Sequence, residues 1–149
     1  MVQGLTVEDF GGNQNIFHVF QCVRFLVHVW DDLIDKDKEV TDRDINQAFK
    51  IALVDLPANP VYRLVQQDLL PLWVTVISAY ETANEFEAQG TAAGLEISHI
   101  LRFEAVQILN YLMIAVLGYE QALPYLPKIW LGIVAEPLSG YLKEHQNAE

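Results

Sequence analysis

Apolar positions recur along this chain with helical spacing, and Gly or Pro residues separate one helical stretch from the next. The first stretch runs from Ile16 to about Asp35, contains neither Pro nor Gly, and is apolar on almost every side. Strands of this length are rare, and a helix that is apolar nearly all round is typical of a buried position. The pattern therefore predicts a long, central, buried first helix.

The later stretches are bounded by N-capping residues, by Pro or by Gly. We predict helices over residues 42–56, 60–71, 72–89 and 91–117, then short helical pieces and a polar, frayed tail over 143–149. Pro71 is expected to end or kink its helix, because proline lacks the backbone N–H. The sequence predicts an all-α fold, an irregular bundle of about six or seven helices. We expect one domain over residues 1–149, with an irregular lead-in over 1–15.

Composition and charge narrow the function classes. Hydrophobic residues make up 52% of the 149 residues, which excludes a disordered chain. The formal charge of −11 repels phosphate backbones and anionic membranes, so we expect no direct nucleic-acid binding and no membrane binding. We see no signal peptide and no apolar run of about 20 residues, and the single cysteine, Cys22, suits a reducing compartment. We therefore expect a cytoplasmic protein.

The polar residues of the first helix lie on one side of it. From residue 21 onward they are Gln21, Arg24, His28, Asp31, Asp32 and Asp35. At 100° per residue they fall within a wedge of about 100°. Two interpretations stay open: a solvated face, or an imidazole and carboxylates that converge on one divalent ion.

Two other helices carry polar stripes that could complete such a site. Glu81 and Glu85 share one face of the helix over 72–89, and Glu96 with His99 forms a Glu-x-x-His step. Steps of this kind supply ligands in carboxylate-bridged dimetal bundles, although a pair on a helix surface explains the spacing equally well. The candidate metal ligands are His28, Asp31, Asp32, Asp35, Glu81, Glu85, Glu96 and His99.

The first functional hypothesis is a site for Mg²⁺, Mn²⁺ or Zn²⁺ with no organic cofactor. If the site is catalytic, the chemistry is metal-dependent hydrolysis of a phosphorylated small molecule. The alternative is a non-catalytic interaction or assembly protein, which self-associates or binds a protein partner through the apolar region from Tyr111 to Val134. A third reading is an acidic mimic of nucleic acid. Cys22 and Ser98 have no visible triad partners, so the sequence offers no support for nucleophilic catalysis.

Two stretches resemble known families. Asp31-Asp32-Leu33-Ile34-Asp35 has the DDxxD form of the first aspartate-rich motif of class I isoprenoid synthases. That resemblance implies that Asp31, Asp32 and Asp35 hold Mg²⁺ ions that bind a diphosphate. The chain departs from the family because it is much shorter, has few basic residues and lacks a second aspartate-rich motif.

The segments from Trp30 to Lys38 and from Ala52 to Pro60 resemble small uncharacterised proteins of tailed bacteriophages and prophages. This resemblance implies a phage setting and the cytoplasm of a bacterial host. It implies no activity and no catalytic residue.

Overall fold

The computed structural model describes residues 4–36, 38–134 and 138–146, and over these residues the fold is an all-α helical bundle, as predicted. In chain order the helices are α1 (Gln14–Asp35), α2 (Asp42–Lys50), α3 (Leu56–Ala58), α4 (Pro60–Leu64), α5 (Gln66–Gln89), α6 (Ala92–Leu101), α7 (Val106–Leu117), α8 (Tyr119–Ala122), α9 (Leu126–Ile133) and α10 (Leu138–Gln146). A π-helical turn, Ile51–Asp55, joins α2 to α3, and 3-10 turns lie at Val7–Phe10 and Leu123–Tyr125.

Helix α1 is the central helix, as its apolar pattern predicted. It begins at Gln14, where the Asn13 side chain accepts a hydrogen bond from the Ile16 N–H at 3.0 Å. It packs against α2, α4 and α7, and its apolar side chains join the main hydrophobic core. It ends at Asp35, because Lys36 adopts a left-handed conformation with φ of 58°.

Local capping chemistry sets the starts of α2, α4 and α6 where the sequence predicted them. Thr41 accepts from the Asp44 N–H in a capping box. The Asn59 side chain accepts from the N–H groups of Val61 and Tyr62, and Thr91 accepts from that of Gly94. These side chains satisfy backbone donors that the first helical turn leaves without partners.

Two helix boundaries differ from the prediction. The expected end of a helix at Pro71 is wrong, because α5 continues through Pro71 and the chain breaks at Val65 instead. Pro71 lies on the exposed side of α5, where water can hydrogen-bond to the carbonyl group that lacks its helical partner. The continuous helix over 91–117 is also wrong, because residues 102–105 form turns. The resulting bend of 43° lets α6 pack along α5 while α7 packs on α1.

The N-terminal lead-in is more ordered than predicted. Val7–Phe10 forms a 3-10 turn that buries Asp9 and Phe10. Asp9 accepts a hydrogen bond from the Thr6 N–H at 2.7 Å and lies 2.5 Å from the Lys128 ammonium group on α9. The bond to Lys128, followed by that to Thr6, lowers the pKa of Asp9. The predicted frayed tail reaches residues 147–149, which lie outside the described residues.

Within the described ranges, no single helix is long and apolar enough to cross a membrane. In the part of the chain that the structure describes, α6 and α7 taken together, across their 43° bend, meet the length and composition of a span. Helix α7 is largely buried in the core of the bundle.

Candidate functional site

A cavity of about 470 Å³ lies beside the C-terminal half of α1. We call it the α1 cavity. Helices α5, α6, α7, α9 and α10, with the turn between α6 and α7, complete its walls. Its apolar wall is formed by Phe20, Val23, Val27, Val106 and Leu109. This volume and this mixture of apolar and polar walls are typical of a site for a small molecule.

The polar wedge of α1 forms one wall of this cavity. The wedge residues that line it are Arg24, His28, Asp31, Asp32 and Asp35. Gln21 is the wedge member outside it, and it lines a second, shallower groove. Most of the wedge therefore lies at a concave surface, where Arg24, His28 and Asp35 are exposed and Asp31 and Asp32 are half-buried.

The other predicted ligands divide into two groups. His99 on α6 is 4% exposed and lines the α1 cavity. Glu81, Glu85 and Glu96 are exposed and do not line it. The Glu-x-x-His step is thus split between a solvent-facing carboxylate and a buried imidazole. Among the described residues, no group of three or more His, Cys, Asp or Glu side chains is arranged to hold a metal ion.

The cavity contains a buried ion pair that the sequence analysis missed. The Arg102 guanidinium donates to both carboxylate oxygens of Glu87, at 3.2 Å from Nε and 2.8 Å from Nη2. It also donates to Asn84 Oδ1 at 2.6 Å and lies 5.2 Å from the centre of the Tyr80 ring. Burial lowers the pKa of Arg102, and the Glu87 bonds with the charges of Asp31 and Asp35 more than offset it, so the pKa is raised.

Glu87 also connects the cavity to the C-terminal helix. The Tyr141 hydroxyl donates to Glu87 Oε1 at 2.5 Å and lies 2.5 Å from the Ser98 hydroxyl. His145 Nε2 lies 3.8 Å from the same Glu87 oxygen. Burial and the bond to Glu87 raise the pKa of Tyr141, so its hydroxyl stays a donor across the ordinary pH range.

Asp31 is a carboxylate of the wedge whose pKa is strongly raised. Burial, followed by the nearby charge of Asp35, raises its pKa from 3.8 to about 6, and the charge of Arg102 opposes this rise. Its Oδ1 atom is buried and has no hydrogen-bond partner among the described residues. This carboxylate therefore lacks the donors that normally accompany a buried charge.

Two other buried atoms on the cavity walls share this property. Within the described part of the chain, neither the Tyr80 hydroxyl nor Arg102 Nη1 has a hydrogen-bond partner. Tyr80 is 1% exposed, and burial followed by the Asp31 charge raises its pKa. Arg102 Nη1 is a donor, Asp31 Oδ1 is an acceptor, and the Tyr80 hydroxyl serves as either.

The mouth of the cavity carries cationic and neutral nitrogen groups. Arg24 and His28 are exposed, and no carboxylate of the described residues forms an ion pair with Arg24. Partial desolvation of the ring, followed by the charge of Arg24, lowers the pKa of His28, so its imidazole is mostly neutral at pH 7. The mouth thus presents a guanidinium that has no ion pair among the described residues, beside an imidazole nitrogen that can bind a metal.

A second set of helically spaced positions on α5, and one lone arginine, would have indicated the cavity residues that the sequence prediction missed. Tyr80, Asn84 and Glu87 lie at i, i+4 and i+7 on α5, one face away from the stripe of Glu81 and Glu85. Arg102 is the sole Lys or Arg in the apolar sequence 92–117. A lone arginine in such a sequence indicates a buried partner. The link from Tyr141 across to α5 has no signal in the sequence.

A second group of functional residue types lies on the opposite side of α1. Cys22 Sγ is 3.7 Å from His18 Nε2, and His18 Nδ1 is 3.3 Å from Asn59 Nδ2. Asn59 Oδ1 accepts two backbone N–H groups, so its Nδ2 must face the imidazole as a donor. His18 Nδ1 then accepts, and the ring proton lies on Nε2. In this tautomer His18 cannot take the thiol proton, so the group is not arranged for nucleophilic catalysis.

We expect Cys22 to react with iodoacetamide at pH 8 about a hundredfold more slowly than an ordinary thiol. Burial, followed by the charge of Asp55, raises its pKa from 9.0 to about 11, which lowers the thiolate fraction by that factor. Mass spectrometry of alkylation over time measures the rate. The same chain in urea is the control and should react at the ordinary rate; equal rates in both states would contradict the assignment.

Comparisons with protein-family models, with curated proteins and with solved structures find no match to this chain. The resemblances to phage proteins and to the DDxxD motif therefore stay predictions. Function has to be argued from the cavity itself.

Proposed function

We propose that the α1 cavity binds a small phosphorylated organic molecule together with a divalent cation. The observation that supports this most strongly is the pair of buried, unpartnered atoms Asp31 Oδ1 and Arg102 Nη1, found among the described residues on the walls of one cavity. The arginine atom requires an acceptor, and the carboxylate oxygen requires a donor or a cation. A phosphate group with its bound cation supplies both.

The cation would lie against one or two carboxylates of the set Asp31, Asp32 and Asp35, in the last turns of α1. Mg²⁺ takes oxygen ligands, keeps several waters, and is commonly held by one or two carboxylates plus substrate phosphates. A site of this kind does not require three protein ligands, which agrees with the side chains present. Zn²⁺ fits less well, because its catalytic sites use three protein ligands.

The phosphate would lie between two arginines. Arg24 at the mouth has no ion pair among the described residues, and Arg102 has one donor atom to spare. Guanidinium groups match phosphate oxygens in geometry and charge. The chain has a formal charge of −11, so two arginine side chains grouped beside an acidic cluster are not what its overall composition predicts.

The organic part of the ligand would contact the apolar wall formed by Phe20, Val23, Val27, Val106 and Leu109. A cavity of about 470 Å³ accommodates a molecule of metabolite size. A divalent cation bound there would supply the Lewis acidity for phosphoester hydrolysis. The side chains of the cavity would hold the phosphate and exclude bulk water from it.

Thermal unfolding with Mg²⁺ alone, pyrophosphate alone and both together tests this proposal. We expect the pair to stabilise the fold by about 2.7 kcal/mol at a concentration near 100 times Kd, and each alone to do much less. The double variant Asp32→Asn/Asp35→Asn should remove the Mg²⁺ dependence. Its matched control, Glu81→Gln/Glu85→Gln, changes the same charge at exposed positions outside the cavity.

Arg24→Gln tests the phosphate contact separately. It should weaken the response to pyrophosphate with Mg²⁺, whereas Arg43→Gln, at an exposed arginine of α2, should not. No stabilisation of the wild type by any of the three conditions would refute the proposal. An equal response in the acidic double variant and its control would refute the assignment of the carboxylates.

A second candidate function, association with a second copy or with a protein partner, is favoured by an exposed apolar stripe. Leu70, Val74 and Ile77 lie on one face of α5 and are 51%, 66% and 48% exposed. In the region from Tyr111 to Val134, Tyr119 and Leu131 are 60% and 71% exposed, so this region also presents apolar surface. Sedimentation equilibrium over a range of concentrations measures self-association, and a concentration-independent monomer would exclude that form of it.

A further inference from the structure

One carboxylate connects the floor of the α1 cavity to the helix that covers it. Glu87 holds the Arg102 guanidinium at 2.8 Å and accepts the Tyr141 hydroxyl at 2.5 Å. Arg102 belongs to the turn after α6, and Tyr141 belongs to α10. If Arg102 moves, Glu87 loses one of its partners, and Glu87 is the group that orients Tyr141. The same holds for Arg102 if Tyr141 moves.

Helix α10 is anchored mainly through Tyr141. This side chain is 5% exposed and lies beside His99, with 5.1 Å between ring centres. In the described part of α10 the other side chains are exposed or half-buried, and the helix packs on α6. Tyr141, Glu144 and His145 of α10 line the cavity. A short helix held by one buried side chain opens at a small fraction of the global unfolding free energy.

We propose that α10 is a lid over the α1 cavity and that the Tyr141 hydroxyl is its latch. This inference rests on the proposed function, because the lid covers the proposed ligand site. Glu87 is the positioning residue: it orients Arg102 toward the ligand and accepts the latch. A ligand that binds Arg102 fixes the guanidinium against Glu87, and Glu87 then stays in place to hold Tyr141.

Tyr141→Phe tests the latch, because it keeps the ring and removes the hydroxyl. Amide hydrogen exchange of residues 138–146 should become at least about tenfold faster, since a hydrogen bond to a carboxylate is lost. A cysteine reporter, Val106→Cys in a Cys22→Ser background, should also react faster with a thiol reagent, because Val106 lines the cavity and is 1% exposed. Tyr119→Phe, at an exposed tyrosine, is the matched control and should change neither rate.

Exchange of the α7 amides distinguishes lid opening from general unfolding, because α7 lies in the core. Unchanged exchange of 138–146 in Tyr141→Phe would overturn the proposal, as would an equal loss of protection in α7. Mg²⁺ with pyrophosphate should slow exchange of α10 in the wild type and less in Tyr141→Phe. If this probe fails to bind while Tyr141→Phe still opens α10 alone, the lid stands and the proposed function falls.

Discussion

Arg102→Ala is expected to lower the free energy of unfolding by about 3–5 kcal/mol, which is the typical cost when one partner of a buried ion pair is removed. The Glu87 side chain is 15% exposed and would keep its charge in the interior without a cation. Asn84 would lose its 2.6 Å donor, and the Tyr80 ring would lose the guanidinium 5.2 Å above it. Urea denaturation at pH 7 measures the change.

Two further variants separate the effect of breaking the ion pair from the effect of removing an arginine side chain. Arg43→Ala, at an exposed position of α2, is the control and should cost less than about 0.5 kcal/mol. Arg102→Ala combined with Glu87→Gln should recover part of the loss, because the uncompensated charge is then absent. If Arg102→Ala costs no more than Arg43→Ala, the ion pair contributes nothing to stability and Arg102 serves the site alone.

Much of the fold could be predicted because its signals are local. The first helix is long, apolar and free of Pro and Gly, and the caps at Thr41, Asn59 and Thr91 act within one turn. A capping side chain and the N–H group that it accepts lie three residues apart or closer, so the sequence alone contains the whole interaction.

The two misplaced boundaries depend on packing between distant helices. Residues 102–105 are favourable for helix by composition, and they turn because α6 packs on α5 while α7 packs on α1. At Pro71 the cost of a lost backbone bond is small on an exposed face, and continuity of α5 keeps its buried side in the core. At both places the backbone follows packing between helices that are distant in sequence, and the local sequence does not show this packing.

The candidate site was predictable in its α1 half and, on α6, at His99. Arg24, His28 and the three aspartates share one helix, so a constant angle per residue groups them without any knowledge of the fold. The opposite half depends on which face of α5 turns inward. Glu81 and Glu87 are six residues apart, so their directions around the α5 axis differ by about 240°. The structure places Glu87 at the cavity and Glu81 in solvent.

Asp31→Asn is expected to stabilise the protein by about 1–3 kcal/mol at pH 8. Most single substitutions have the opposite effect and lower the free energy of unfolding. Burial, followed by the charges of Asp35, Glu87 and Asp32, raises the Asp31 pKa from 3.8 to about 6 against the opposing charge of Arg102. The folded state therefore binds this proton more tightly than the unfolded state. The stabilising contribution of the protonated carboxyl is fully present below pH 3.8 and is lost as pH rises through about 6.

The difference between Asp31→Asn and the wild type should thus be largest above pH 7 and should disappear near pH 4. Urea denaturation at several pH values measures it, and Glu81→Gln, which removes one exposed charge, controls for the general relief of the −11 charge. A pH-independent difference, or an equal gain in Glu81→Gln, would contradict the assignment. A cation bound beside Asp31 would offset the same cost, so Mg²⁺ with pyrophosphate should stabilise the wild type more than Asp31→Asn. The Asp31 carboxylate lowers the stability of the unliganded protein, and the bound ligand would remove that cost.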